Sequence, residues 1–573
     1  MGAAKRLFLY TVATVSLLVL CVGLYNLVAV VLGELADALG AAIIGGGGNT
    51  GREQVSLAIA LVVVGAPVFA IDWWLVGRGW RGMDDAGRAD RTSAIRAFHM
   101  GLVATIALTV GTFAALQSLD TSFGALLGAE QFSERPTDQI AMLLVATPVW
   151  WYHQWGRGLD IRHDRLTGAA AWLTRFHRYA WTFIGLMLLV VGASQILEAV
   201  ASVLIGRPGF GSGDDGWLDP LAWSLSSILV GSGLFWYHAN DARRAIRDAG
   251  IIGEDDRATA LRTTYFGVVI LVTLAYVGVT VTSSLAELGR WVLGVGDVNG
   301  LPAFLELIVG PLLVAIPFAV AGWLHWTALR REAGGRSPVG LAAAERLALH
   351  LATGVGLVFL AAGAAQLVGR VLELAIGGAA AGDFFRLEIT RDLALIVVGA
   401  VLWIPAWTRV LLHRMADPTV ERQATAGRAY LYLVVATSFI AAVPSAAFSL
   451  YRLIDTALGG GGVALGSELA IPIAVVILTS VIALYHGRLL VSDLRIATAV
   501  QPPVEPAVTP AASGAASAAS VDASLVLTLR GPAGMDLGSL VDTLREHLPA
   551  GVMLVEGLVT REDEQERAGR DGT

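Results

Sequence analysis

The chain has 573 residues, of which 55% are hydrophobic and 15% charged, with a mean hydropathy of +0.65 and a formal net charge of −7. A soluble globular domain carries about 25% charged residues, so composition excludes a water-soluble fold over most of the length. Basic residues scattered singly beside apolar runs exclude a nucleic-acid surface, and a single cysteine, Cys21, excludes an intramolecular disulfide or a cysteine metal centre.

The first element is Leu7–Val31, which holds no charged side chain. Crossing the hydrocarbon core takes about 20 apolar residues. Lys5 and Arg6 ahead of this run resemble a signal peptide. The run is too long for one and aligns with internal segments, so it reads as the first spanning helix. Ala97–Leu119 and Phe266–Ala286 have the same character.

Continuing along the chain, one landmark recurs. An arginine stands about four residues before an aromatic residue, a histidine or Met100, at Arg6/Tyr10, Arg96/Met100, Arg175/Tyr179, Arg262/Phe266, Arg346/His350 and Arg428/Tyr432. The arginines are 90, 79, 87, 84 and 82 residues apart, and each opens an apolar helix, A. A Gly-rich or acidic loop follows, then a second apolar helix, B. Helix B ends in an aromatic cluster and an arginine: Asp72-Trp73-Trp74, Trp151-Tyr152-His153, Trp236-Tyr237-His238, Trp323-Leu324-His325, Trp403-Ile404-Pro405 and Leu484-Tyr485-His486. Two landmarks in the same order six times define a repeat. The predicted helices cover 6–31, 53–76, 95–119, 138–158, 176–204, 218–240, 262–285, 302–328, 345–375, 390–413, 427–455 and 467–490.

The expected fold is therefore an all-α polytopic membrane protein of about 12 helices. Its six parallel two-helix repeats occupy 1–90, 91–170, 171–257, 258–341, 342–423 and 424–498. Arginine concentrates on the B-to-A segments and acid on the A-to-B loops, which places the B-to-A side and both termini in the cytoplasm of a bacterial inner membrane. Arginine in place of lysine throughout suggests a GC-rich bacterial genome. Beyond the repeats, 499–522 is an Ala/Pro/Ser linker. Residues 523–560 read as a small cytoplasmic β-α-β module able to self-associate or hold a protein partner, and 561–573 as a disordered charged tail.

Candidate binding residues come from the B-helix ends: Trp151, His153, Trp236, His238, Trp323, His325 and His486. Histidines there could ring a vestibule and hold a proton, metal or anion. The competing and favoured reading is an aromatic belt at the membrane boundary, since eleven of the 16 tryptophans lie in or just beyond these ends. The arginines opening the A helices read as interfacial anchors. Asp72 reads as an interfacial or paired group beside Arg78, and glycines such as Gly192, Gly278 and Gly363 as close-packing points. No nucleophile, paired carboxylates, phosphate loop or metal motif is present, so neither catalysis nor a cofactor is expected.

The openings RLFLYTVATVSLLVL (6–20) and RAYLYLVVATSFIAAV (428–443), with Trp236-Tyr237-His238 and Trp323-Leu324-His325, resemble the bacterial membrane family called domain of unknown function 5671. The resemblance covers residues 1–498 and implies no activity. Two functions compete: a transporter or channel-like bundle around a mostly uncharged path for an unidentified solute, which leads, and a non-transporting scaffold or signalling anchor presenting the C-terminal module. A membrane enzyme is third.

Overall fold

The computed structural model describes residues 3–500 apart from the stretches 39–49, 129–135, 206–217, 248–250, 296–299, 335–337, 378–381, 417 and 459–464. Most of the Gly-rich and acidic A-to-B loops lie outside the described residues. So does everything after residue 500, including the expected β-α-β module, which gains no support. No strand occurs among the described residues.

All twelve expected helices are present. In chain order they are α1 (Ala3–Ala38), α2 (Thr50–Trp80), a short connector α3 (Asp85–Arg91), α4 (Ala94–Leu127), α5 (Thr137–His163), α6 (Gly168–Leu204), α7 (Leu218–Arg247) and a second connector α8 (Ile251–Ala258). Then come α9 (Ala260–Val292), α10 (Gly300–Phe304), which runs through one π turn (Leu305–Val309) into α11 (Gly310–Gly334), α12 (Pro338–Gly377) and α13 (Asp383–Ala416). A third connector α14 (Pro418–Gln423), α15 (Thr425–Ala457) and α16 (Leu465–Val500) complete the set. Eleven of the long helices are long and apolar enough to cross a membrane. Helix α5 is the exception to the expected twelve, because its apolar run gives way early to Tyr152-His153-Gln154 and then to Arg157 and Asp160.

Each A helix packs most heavily on its own B helix, which makes six hairpins. Each A helix also packs on the next hairpin's A and B helices, and no non-adjacent hairpins share a substantial interface among the described residues. The hairpins therefore form a row with nearest-neighbour contacts, the organisation of a solenoid.

Glycine explains how tightly the odd hairpins close. A methyl placed on Gly231 of α7 would come within 2.5 Å of the Leu189 amide nitrogen, and one on Gly185 of α6 within 2.5 Å of the Phe235 amide. Gly356 on α12 and Gly399 on α13 repeat this face-to-face arrangement, and between α1 and α2 Gly65 meets the Leu20 backbone while Gly23 meets Ala58, Leu61 and Val62. In lipid, where apolar burial does not drive helices together, such backbone approach supplies the packing energy. Gly23, Gly192 and Gly363 fall 169 and 171 residues apart, and Gly65, Gly231 and Gly399 fall 166 and 168 apart. The even hairpins lack this pairing, so the structural period is two hairpins and the row consists of three helix quartets.

Candidate functional site

The densest chemistry lies at the arginine-bearing helix ends, where the B-to-A connectors sit. In the first quartet, Arg6 of α1 pairs with Asp90 of the connector at 2.8 Å. The Tyr10 hydroxyl donates to the other Asp90 oxygen (3.3 Å). It accepts from Arg96 Nη1 (3.1 Å), and Arg96 binds both Asp160 oxygens of α5 at 2.7 and 3.1 Å. Arg96 and Asp90 are each 1% exposed. One clasp thus ties α1, α3, α4 and α5.

The other quartets vary the same clasp. Arg175 pairs with Asp256 of α8, and Arg178 bridges Asp256 (2.9 Å) and Asp241 of α7 (2.6 Å). Arg262 donates to the Tyr179 hydroxyl at 3.4 Å, as Arg96 does to Tyr10. In the third quartet Arg346 holds Glu421 of α14 (2.7 Å) and Arg414 holds Asp493 (2.6 Å). His350 replaces the tyrosine there, and Arg428 turns to the Arg422 carbonyl instead (3.1 Å). Three connector helices of six to eight residues therefore each deliver one acid to the first arginine of their quartet. The first is held in place by its N-cap, Asp84, which accepts from the Gly87 amide at 2.9 Å.

These arginines, read as interfacial anchors, are also tied to acids or hydroxyls of neighbouring helices. Asp72, read as an interfacial or paired group, is buried with Oδ2 unpartnered, while Arg78 lies over the Trp74 ring at 3.5 Å. The sequence reading missed the partner acids. A signal existed, since Asp90, Asp256 and Glu421 stand six or seven residues before Arg96, Arg262 and Arg428.

The aromatic clusters divide. Trp151, Trp236 and Trp323 are 63%, 66% and 65% exposed, whereas His153, His238 and His486 are 2%, 0% and 1% exposed. One sequence motif thus serves two environments. The histidines do not converge on a vestibule, because each lies against its own hairpin's A helix. His325 Nε2 accepts from the Tyr265 hydroxyl (2.8 Å) and His486 Nε2 from Tyr430 (3.4 Å), while their Nδ1 atoms donate to the Ala321 and Ile482 carbonyls at 2.8 and 2.9 Å.

In the second hairpin His99 stands where those tyrosines stand, 5.7 Å from His153 between ring centres. His153 Nδ1 donates to Val149 (2.7 Å). Thr14 spends its proton on the Tyr10 carbonyl, so its oxygen accepts from His99 Nδ1 at 2.8 Å. Both Nε2 atoms then lack a protein partner. His177 and His238 form a comparable pair at 5.9 Å. No three metal-ligating side chains come together among the described residues.

Toward the middle of the helices the chemistry stops. A groove of about 540 Å³ lies between α1, α4 and α5, lined by residues such as Leu18, Cys21, Val22, Val110 and Phe113. The matching groove of the third quartet, about 730 Å³, lies between α12, α15 and α16, with α9 contributing Leu271 and Ala275. Both are almost wholly apolar. In the second quartet the same place is filled: Phe318 and Tyr276 stack at 3.8 Å within a cluster of Leu186, Val190 and Val269.

The family called domain of unknown function (DUF5671) matches the chain three times, over residues 6–139, 175–320 and 346–481. Each match starts at the first arginine of a quartet or reaches into its second hairpin's B helix. The matches cover well over half the chain, which belongs to this family. No curated protein and no solved structure matches it.

Proposed function

We propose that this member of the DUF5671 family is a non-transporting membrane scaffold. In this reading the hairpin row is a rigid intramembrane platform, inserted with its clasped B-to-A ends in the cytoplasm, and residues 523–560 carry contacts to a partner there. The observation that carries the reading is the combination of neighbour-only packing with apolar grooves. A solute path needs polar side chains from several repeats converging at mid-membrane. At mid-helix the row supplies glycine contacts and hydrocarbon-lined grooves, with hydroxyls such as Thr273 and Thr280 bonded back to their own helix, and most of its buried arginines pair with acids toward the helix ends. Arginine bias supports the orientation.

Cys21, the sole thiol, lines the first groove and provides a native probe. Charged methanethiosulfonate reagents added to either side of proteoliposomes are expected to leave it unmodified until detergent unfolding. A reference thiol placed at Met83, which is 78% exposed, should react at once. Rapid modification of Cys21 in the folded protein would reveal water in the groove and overturn the scaffold in favour of transport.

A further inference from the structure

One histidine pair lacks the proton that joins its counterparts. In the fourth and sixth hairpins the B-helix histidine anchors Nδ1 on the carbonyl four residues back and turns Nε2 to a tyrosine hydroxyl of the A helix. The ring centres there are 5.5 and 5.7 Å apart. His153 keeps the same anchor, on Val149 at 2.7 Å, and its ring lies 5.7 Å from that of His99. A tyrosine gives its proton to the bridge. His99 cannot, because its ring proton goes to Thr14 at 2.8 Å. An imidazole nitrogen also projects less far from its ring centre than a phenol oxygen, so at equal spacing His99 stops short of the position the hydroxyl oxygen takes. Two basic nitrogens, both buried and without a protein partner, therefore lie side by side in the interior. Facing lone pairs repel unless something electrophilic joins them.

We propose that His99 and His153 bind one copper(I) ion through their Nε2 atoms. The fixed Nδ1 protons leave both Nε2 lone pairs ready to coordinate, and such outer hydrogen bonds are how metal-binding histidines are oriented. Two metal–nitrogen bonds of about 2.0 Å, with the half-widths of two imidazoles, span roughly 6 Å between ring centres. The observed 5.7 Å is close to that. Zinc takes four ligands in a closed site, and no third histidine, cysteine or carboxylate joins the pair among the described residues. Copper(I), a monovalent d10 ion, is satisfied by two imidazoles. Met100, 1% exposed, fills the space that a Cβ on Gly156 would need, one turn beyond His153. A thioether, a donor type that selects copper(I), thus lies on the same face of α5. The nearby Arg96 is balanced by both Asp160 oxygens. Thr14 and Val149, which hold the two Nδ1 atoms, also line the first groove, and so offer a way in. His177 and His238 make a poorer site, since neither nitrogen of His238 is anchored. The inference needs only the packing of α1, α4 and α5, and it stands whether or not the row transports.

Copper(I) titration of the full chain tests it, in mild detergent without oxygen, after stripping with a chelator and against the chromogenic competitor bicinchoninate. The wild type should take one copper(I) from the competitor, and X-ray absorption should show two imidazole nitrogens as its main ligands. His99→Tyr, which installs the arrangement of the fourth and sixth hairpins and so keeps the fold, should take none. His153→Gln should also take none. Thr14→Val removes the acceptor that orients His99 and should weaken binding about tenfold while leaving the absorption spectrum of the bound ion unchanged. Cys21→Ser should bind as the wild type does, because Cys21 stands seven residues, about 10.5 Å, along α1 from Thr14. His177→Gln should also bind normally. Failure of the wild type to take copper would overturn the proposal and leave the pair to a water or a shared proton. Unchanged binding by His99→Tyr, loss of binding in Cys21→Ser or His177→Gln, or a spectrum dominated by sulfur would overturn it too. Copper binding neither requires nor forbids water in the groove, so a failed titration and a reactive Cys21 are separate results.

Discussion

The ends and the middles of the helices are held by opposite means. At the B-to-A end of the first quartet, Arg96 sits 1% exposed between Asp160, Tyr10 and the Trp80 ring, 4.7 Å from its centre. Halfway along the third quartet, α12 and α13 meet through Gly356 and Gly399 with no polar group involved. Charge is used where the chain must turn and be tied to a neighbour. Backbone contact is used along the apolar middles of the helices, where burying a lone charge would cost several kcal/mol. The difference teaches that stability and register are separate inputs: the glycine seams bring helices together, and the clasps fix which ends meet.

The comparison breaks most sharply at the clasp. Asp160→Ala leaves Arg96 buried and uncompensated, and it should cost about 3–5 kcal/mol in reversible unfolding in mixed micelles. Replacing both partners with Arg96→Met and Asp160→Leu should restore most of that. If the double variant were as unstable as the single, the pair would be contributing attraction rather than merely avoiding an orphan charge.

A smaller loss is expected at the seam. Gly399→Leu must push α12 and α13 apart, at about 1–3 kcal/mol as an overpacked core position. The same change at Gly233, where a side chain meets nothing within 4 Å, should leave the unfolding midpoint in place. Equal effects at the two sites would show that helix propensity, not close approach, sets the cost.

The smallest effect belongs to the ring contacts beside the clasps. Tyr265→Phe removes the donor to His325 Nε2 and should cost about 0.6–1.7 kcal/mol, the range of interhelical hydrogen bonds measured in a membrane. His99→Tyr, which copies the arrangement of the fourth and sixth hairpins, should be neutral or stabilising in the same assay. A large destabilisation by His99→Tyr would mean that the unpartnered His99 and His153 nitrogens already share an occupant.

Much of the fold was legible from residue order. Uncharged runs of spanning length give the helices, and the recurring arginine and aromatic landmarks give the hairpins. Both are local patterns set by the solvent around each segment. The site was less legible, because a Trp-Tyr-His run looks alike whether it faces lipid or the interior. His153 and Trp151 are two residues apart, about 200° around a helix of 3.6 residues per turn, and only packing decides which turns inward. The arginines looked like surface anchors for the same reason, since their partners lie 63 to 84 residues away in sequence.

What the sequence determined by itself is the set of helices and their hairpin pairing, because hydrophobic length and short connections act within a segment. What the tertiary structure decided is that the hairpins form a row of three quartets, with charges clasped at the helix ends and an open apolar groove in the first and third quartets. Those outcomes depend on which residues meet across hairpins: Arg96 with Asp160, Gly356 with Gly399, and Tyr276 with Phe318. Their contact free energies arise only once backbones have approached.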